Sequence, residues 1–149
     1  MTEVLFYHLQ QTALEQVLPS LLERSLERGW NAVVRVGNPE RIEPLCASLW
    51  TYRDDSFLPH GTSEDGPLEA QPIVLTGDND NPNKAGVLFL VDGAAPHHLE
   101  GYERCVLMFD GRNDEAVSAA RSHWKTLSAD GHDVTYWQQN DAGGWEKKA

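Results

Sequence analysis

The sequence predicts an α/β fold, a single three-layer domain with helices on both faces of a mostly parallel sheet. Short apolar runs recur along the chain and are continuous rather than alternating, as in strands that are buried on both faces. Segments with apolar residues at helical spacing separate several of these runs. The length of 149 residues favours one domain over residues 1–149, with 141–149 as a C-terminal tail.

The chain begins with a predicted strand and a long predicted helix. Residues 3–9, EVLFYHL, are aromatic and β-branched and therefore favour a strand. Residues 12–28 place leucines and valine on one stripe at helical spacing, and Gly29 ends the pattern. Pro19 lies inside this pattern, so we expect a kink or an interruption in the middle of the helix rather than its loss.

A second strand and a second helix follow. Residues 30–37, WNAVVRVG, predict the strand. Residues 38–50 predict the helix, because Asn38 can act as its cap and Pro39 suits the first helical position. Pro44 is expected to limit the regularity of this helix.

The second half of the chain predicts four more strands. Residues 61–71 are polar and glycine-rich and predict a solvated loop ahead of them. The four strands are predicted at residues 72–77, 87–93, 104–111 and 132–140. With the helix described next, the predicted order of elements is β-α-β-α-β-β-β-α-β, without an internal repeat.

The last predicted helix covers residues 112–129. Asn113 is a suitable N-cap, and Asp114 and Glu115 complement the helix dipole at its positive end. The start of this helix is therefore well specified by local sequence.

The overall charge argues against direct binding to nucleic acid. The chain has 12 basic and 23 acidic side chains, a net charge of −11, whereas phosphate contacts are made by Lys and Arg. Residues 1–110 contain 7 basic and 17 acidic side chains, and residues 111–149 contain 5 and 6. We therefore expect positive surface to be concentrated near the C-terminal end.

The sequence also predicts a cytoplasmic protein. The first residues lack a basic segment and carry Glu3 where a signal peptide would have Lys or Arg. Every apolar run is too short to cross a bilayer. In a reducing compartment, Cys46 and Cys105 are expected to be free thiols that pack as small apolar residues.

Motifs for cofactor binding are missing from the sequence. There is no GxGxxG and no GxxxxGK[ST], and the turns RVGNPER and FDGRNDE each supply a single glycine, too few for a phosphate cradle. His97 and His98 have acidic neighbours, but no second pair at metal-ligand spacing completes a set. We expect no cofactor and no metal.

An enzyme is nevertheless the alternative from another functional class. No serine lies in a GxSxG elbow and neither cysteine has a catalytic sequence signature. Catalytic groups can converge from distant positions, however, so a small α/β enzyme could use His60, or the pair His97 and His98, at a degenerate site at the strand ends.

The last helix carries the strongest candidate for a binding site. Val117, Arg121, Trp124 and Lys125 are spaced i, i+4, i+7 and i+8, so all four lie on one face. Two cations beside an indole suit an acidic peptide, because Arg forms bidentate contacts with carboxylates and the indole packs apolar side chains. The alternative is that Trp124 belongs to the core and the cations line its solvent edge.

Three segments carry a family resemblance: LFYHL near the start, LWTYRDDSFLPHG in the middle, and AARSHWKTLSADGHDVTYWQ near the end. Together they resemble the chi subunit of bacterial DNA polymerase III holoenzyme. The similarity covers essentially the whole chain. It implies a non-catalytic accessory subunit of the clamp-loader assembly, with a fold like that of nucleotide-binding domains but without their phosphate loop.

The resemblance also implies two partners. Arg121, Trp124 and Lys125 match the positions with which the family binds the acidic C-terminal tail of single-stranded DNA-binding protein, Trp124 replacing a tyrosine of better-studied relatives. The resemblance further implies a docking surface for the clamp loader, reached through a psi-like subunit or directly. Its matching positions are Trp50, Phe57 and Pro59. DNA itself would then be reached only through the protein that coats it. An adaptor for a different acidic partner is a further alternative.

Overall fold

The structure, a computed structural model, describes residues 3–9, 14–51, 60–61, 72–77, 81, 83–94, 96, 99, 101–139 and 145–148. The strands in this part of the chain are β1 (Glu3–Leu9), β2 (Ala32–Val36), β3 (His60–Gly61), β4 (Ile73–Thr76), β5 (Val87–Val91), β6 (Arg104–Asp110), β7 (Asp133–Gln139) and β8 (Trp145–Lys147). The helices are α1 (Leu14–Glu27), α2 (Ile42–Thr51) and α3 (Asp114–Ala129), and a short 3-10 turn, Pro39–Arg41, precedes α2.

All these strands belong to one sheet with the order β3-β4-β2-β5-β6-β1-β7-β8. Each neighbouring pair from β3 to β7 is parallel, and β8 alone among the described strands runs antiparallel, beside β7. The predicted α/β class with a mostly parallel sheet is therefore confirmed.

Helices cover the sheet on both faces because alternate residues of each strand point to opposite sides. On one face Val34 and Phe89 pack with Leu18 and Leu22 of α1 and with Leu45 of α2. The opposite face has its own core, in which Ala120 and Leu127 of α3 contact the sheet. The sheet residues of this second core are Val4, Phe6, Val33, Val74, Leu88, Leu90, Cys105, Leu107 and Phe109. This double burial explains why the strands are continuously apolar.

Neither internal proline interrupts its helix. α1 runs through Pro19 without interruption, and its neighbours Leu18 and Leu22 are fully buried against the sheet. Pro44 is the third residue of α2, within the first turn. Backbone N–H groups in the first turn have no helical acceptor, so the N–H that proline lacks costs no helical hydrogen bond there. The helix predicted from residue 38 begins instead as the 3-10 turn and becomes α-helical at Ile42.

Two short strands were not predicted from sequence. The two-residue β3 extends the sheet beside β4, at the start of the segment predicted as a loop. β8 lies within the predicted tail, where Trp145 stacks on Tyr7 with ring centroids 4.8 Å apart and 23° between the ring planes. Elements of two and three residues are too short for periodicity to reveal.

None of the helices in the described part of the chain is long and apolar enough to cross a membrane.

Neither Cys46 nor Cys105 forms a disulfide, and their environments differ enough to be tested. Cys105 is completely buried, and burial raises the pKa of its thiol to about 12 despite the nearby Arg35 charge. Cys46 is half-buried. We therefore expect a disulfide reagent such as Ellman's reagent at pH 8 to leave Cys105 unmodified in the folded protein and to modify both thiols after denaturation.

The matched control is Cys46→Ser, which leaves Cys105 as the only thiol. This variant should give almost no colour before denaturation and one equivalent afterwards. Rapid reaction of the folded Cys46→Ser protein would show that Cys105 is not enclosed by the core.

Candidate functional site

Helix α3 starts where the sequence predicted, because its first turn is capped. The Asn113 side chain accepts hydrogen bonds from the backbone N–H groups of Glu115 and Ala116 at 3.0 and 3.2 Å. Asn113 itself is extended, with φ −101° and ψ 110°, as an N-cap should be. At the other end the chain turns at Gly131, with φ +88°. The helix is thus fixed at both ends independently of any partner.

The structure places the four candidate residues of α3 at the boundary between core and solvent. Val117 and Trp124 are half-buried and pack against the core on the α3 side of the sheet. Arg121 and Lys125 are exposed, and neither forms a salt bridge within the described residues. The face therefore presents two available cations beside an apolar strip.

Trp124 packs against the core and is also partly exposed at the surface. Its ring meets Phe6 of β1 edge-on at 5.5 Å and Tyr136 of β7 edge-on at 6.0 Å. Such edge-to-face contacts hold aromatic rings in defined orientations. Trp124 is only half-buried, so part of the indole stays accessible on the helix that carries the two cations.

Sequence reasoning missed two residues beneath this helix, His8 and Tyr136. A hydrogen bond joins His8 Nδ1 to the Tyr136 hydroxyl. The His8 ring also contacts Phe109, with centroids 5.1 Å apart. His8 follows Val4 and Phe6 at alternate positions of β1, so the period of two could have placed it on the α3 face.

His8 is further fixed by Gly111, which follows β6. A Cβ atom at position 111 would clash with His8 Nε2, so any larger residue would force the ring to shift. The Gly111 N–H donates to the Leu9 carbonyl at 2.8 Å, which holds the two segments together. Within the described residues, Nε2 is buried and has no hydrogen-bond partner.

The charge of Arg121 acts on both members of the His8–Tyr136 pair. Burial lowers the pKa of His8; Asp110 opposes this shift and Arg121 adds to it. Burial raises the pKa of Tyr136, and Arg121 partly offsets the rise. The positive charge of Arg121 therefore influences both side chains. Asp110 is held by Arg112, whose backbone N–H bond is the main reason why the pKa of Asp110 is lowered.

A crevice of about 610 Å³ opens on the other side of α3, at the carboxyl ends of β5 and β6. The chain leaves β1 towards the α1 face and β6 towards the α3 face, so a gap forms between these loops. Its wall includes Leu9, Asn38, Arg41, Leu90, Asp92, Phe109, Asp110, Arg112, Asn113, Ala116, Ala120 and His123.

The charges around this crevice are mutually paired. Arg41 Nε lies 3.4 Å from Asp92 Oδ2, and Arg112 Nε lies 3.2 Å from Asp110 Oδ1. Gly37 is required there for packing, because a Cβ would come within 2.5 Å of the backbone at Asp92. Neither feature resembles a phosphate cradle. Among the described residues, no group of three or more His, Cys, Asp or Glu side chains is arranged to hold a metal.

Most of the remaining candidate residues lie outside the part of the chain that the structure describes. The backbone of Trp50 is in α2, whereas Phe57 and Pro59 fall outside the described residues. For the enzyme alternative, the backbone of His60 is in β3, and His97 and His98 fall outside.

Comparison with known proteins assigns the family. Residues 1–135 match the model of the family described as DNA polymerase III chi subunit, HolC. The chain belongs to the chi subunit family. A chi-family relative, described as probable DNA polymerase III subunit chi of Rickettsia prowazekii (strain Madrid E), is 23% identical over 156 residues, covering 100% of this chain and 93% of the relative. This chi-family chain is thus a component of DNA polymerase III and acts in DNA replication.

The close packing of His8 on Gly111 predicts a specific stability effect. Gly111→Ala in this chi-family chain should lower the free energy of unfolding by about 1–3 kcal/mol, because the added methyl overpacks the site under α3. Gly111 does not have a positive φ, so the cost is steric rather than a matter of backbone strain. Urea unfolding followed by tryptophan fluorescence measures the difference.

Two variants control this experiment. Gly77→Ala should be close to neutral, because its nearest neighbours would be 3.7 and 4.0 Å from the new Cβ. Adding His8→Ala to Gly111→Ala should recover much of the lost stability relative to His8→Ala alone. Equal losses for Gly111→Ala in both backgrounds would show that His8 is not the group that excludes a side chain.

Proposed function

We propose that this chi-family protein binds the acidic C-terminal tail of single-stranded DNA-binding protein on α3 and links it to the clamp loader. One observation carries the proposal: Arg121 and Lys125 are exposed and free of salt bridges within the described residues, beside the half-buried Val117 and Trp124. Cations around an apolar strip match a peptide that combines carboxylates with a terminal aromatic residue.

The chemistry of each side chain suits a different part of such a peptide. The planar guanidinium of Arg121 can hold a carboxylate through two parallel hydrogen bonds. The ammonium of Lys125 acts as a second positive charge, and Trp124 offers part of an indole surface for an aromatic side chain.

The site is ready to bind without rearrangement of its scaffold. α3 is capped by Asn113, and Trp124 is held by its contacts with Phe6 and Tyr136. A preformed site loses less conformational entropy on binding than a mobile one. Recognition, with no catalytic activity of its own, is the role we propose for this subunit.

Peptide titration tests the site directly. Calorimetry with a synthetic tail peptide should show about tenfold weaker binding for Arg121→Ala, since a charge-assisted contact is lost. Lys125→Ala should weaken binding by about threefold, as for an exposed charge pair. Raising the salt concentration should weaken wild-type binding more than binding by Arg121→Ala.

Lys147→Ala is the matched control for these variants. Lys147 is an exposed residue of β8, so its removal changes the net charge by the same amount at a different place. Its affinity for the peptide should equal that of wild type. Unchanged affinity in both α3 variants would overturn the proposed site, and an equal loss in all three variants would indicate a non-specific charge effect.

The second half of the proposal concerns Trp50, Phe57 and Pro59 as the docking surface for the clamp loader, through a psi-like subunit or directly. Co-purification of the tagged protein from its own cells tests it. Trp50→Ala and Phe57→Ala should reduce recovery of clamp-loader subunits and leave affinity for the tail peptide unchanged.

Arg121→Ala provides the reciprocal control. This variant should lose single-stranded DNA-binding protein from the purified complex but retain the clamp loader. Full retention of the clamp loader by both Trp50→Ala and Phe57→Ala would show that the complex docks elsewhere on the chain.

A further inference from the structure

The His8–Tyr136 pair beneath α3 is polar, whereas the core around it is apolar. The two side chains hydrogen-bond each other on the sheet face that α3 covers, and Trp124 packs edge-on against Tyr136. Arg121 acts electrostatically on both rings. A polar pair of sheet residues therefore lies on the face covered by the helix that carries the proposed binding residues.

The surroundings of His8 decide which of its ring nitrogens carries the proton. Nε2 is buried, lies against Gly111 and has no hydrogen-bond partner within the described residues. The nearby carboxylate of Asp110 accepts hydrogen bonds from Arg112. A buried N–H without an acceptor is rarer in proteins than an acceptor without a donor, so the proton is expected on Nδ1.

This tautomer has a consequence for Tyr136. With the proton on His8 Nδ1, that N–H donates to the Tyr136 oxygen, and the Tyr136 O–H is left free to donate to another group. Arg121 and Lys125 cannot receive it, because their side chains contain no acceptor. Burial also raises the pKa of Tyr136, so the hydroxyl keeps its proton at neutral pH.

We propose that Tyr136 is a specificity-determining residue of the tail site, its hydroxyl donating a hydrogen bond to a carboxylate of the bound peptide beside the guanidinium of Arg121. His8 is the positioning residue, because its N–H donates to the phenol oxygen and leaves the phenol hydrogen for another acceptor. The inference rests on the proposed binding of an acidic tail at α3. It adds a neutral donor to the two cations, and the carboxylate is either the terminal one or an Asp side chain.

The test removes only the hydroxyl. Tyr136→Phe keeps the ring contacts and should bind the tail peptide about tenfold more weakly, as expected for a lost hydrogen bond to a charged group. Tyr7→Phe is the matched control, because Tyr7 is a half-buried tyrosine of the opposite core, stacked on Trp145, and its affinity should not change.

Peptide variants identify the carboxylate. Tyr136→Phe and wild type are compared with a peptide amidated at its C-terminus and with one in which each Asp is replaced by Asn. The tenfold difference between the proteins should fall to about twofold or less with the peptide that lacks the contacted carboxylate. A difference that persists in full with both peptides would overturn a carboxylate contact.

Arg121→Ala, measured in parallel, distinguishes a failure of the proposed binding site on α3 from a failure of the role of Tyr136. If Arg121→Ala weakens binding and Tyr136→Phe does not, the site stands and the role of Tyr136 is wrong. If neither variant changes the affinity, the site itself is wrong.

Nitrogen NMR of the histidine rings tests the positioning role without any peptide. The His8 signals, assigned by their loss in His8→Asn, should show a protonated Nδ1 and an unprotonated Nε2 at neutral pH. The reverse pattern would overturn the inference, because the Tyr136 hydroxyl would then donate to His8 and have no hydrogen to offer a ligand.

Discussion

A parallel sheet must be covered on both faces, and this requirement governs the whole structure. Successive residues of β2, such as Val33 and Val34, enter different cores, so neither face can be left to solvent. α1 and α2 cover one face, and α3 is the only described helix on the other. Because α3 closes that face, its position is determined by packing before any partner is considered.

Because α3 both covers the sheet and borders solvent, its residues differ in burial around the helix. Ala120 and Leu127 are buried, Val117 and Trp124 lie at the boundary, and Arg121 is exposed. A helix that is anchored by its buried side can hold boundary side chains in fixed positions at little entropic cost. The polar pair of His8 and Tyr136 lies under the same helix, where Trp124 packs against Tyr136 and His8 holds its hydroxyl.

The sequence was informative where the physics is local or strongly periodic. The apolar runs predicted the buried strands, and Asn113 predicted the start of α3, since both effects act within a few residues. The strands β3 and β8 were missed because runs of two and three residues are too short to show a period. Sequence distance hid the contact of His8 with Tyr136, which are 128 residues apart and meet only because β1 and β7 are neighbours.

Charge distribution adds a constraint on how the proposed site selects its partner. Residues 1–110 contain 17 acidic and 7 basic side chains, so this part of the chain is expected to repel an acidic peptide and DNA alike. The cations of α3 face outward and are free of salt bridges within the described residues, whereas Arg41 and Arg112 at the crevice are paired with carboxylates. In the proposed scheme, an anionic peptide would therefore bind on α3 rather than at the crevice. Specificity in this scheme comes as much from repulsion elsewhere as from attraction at the site.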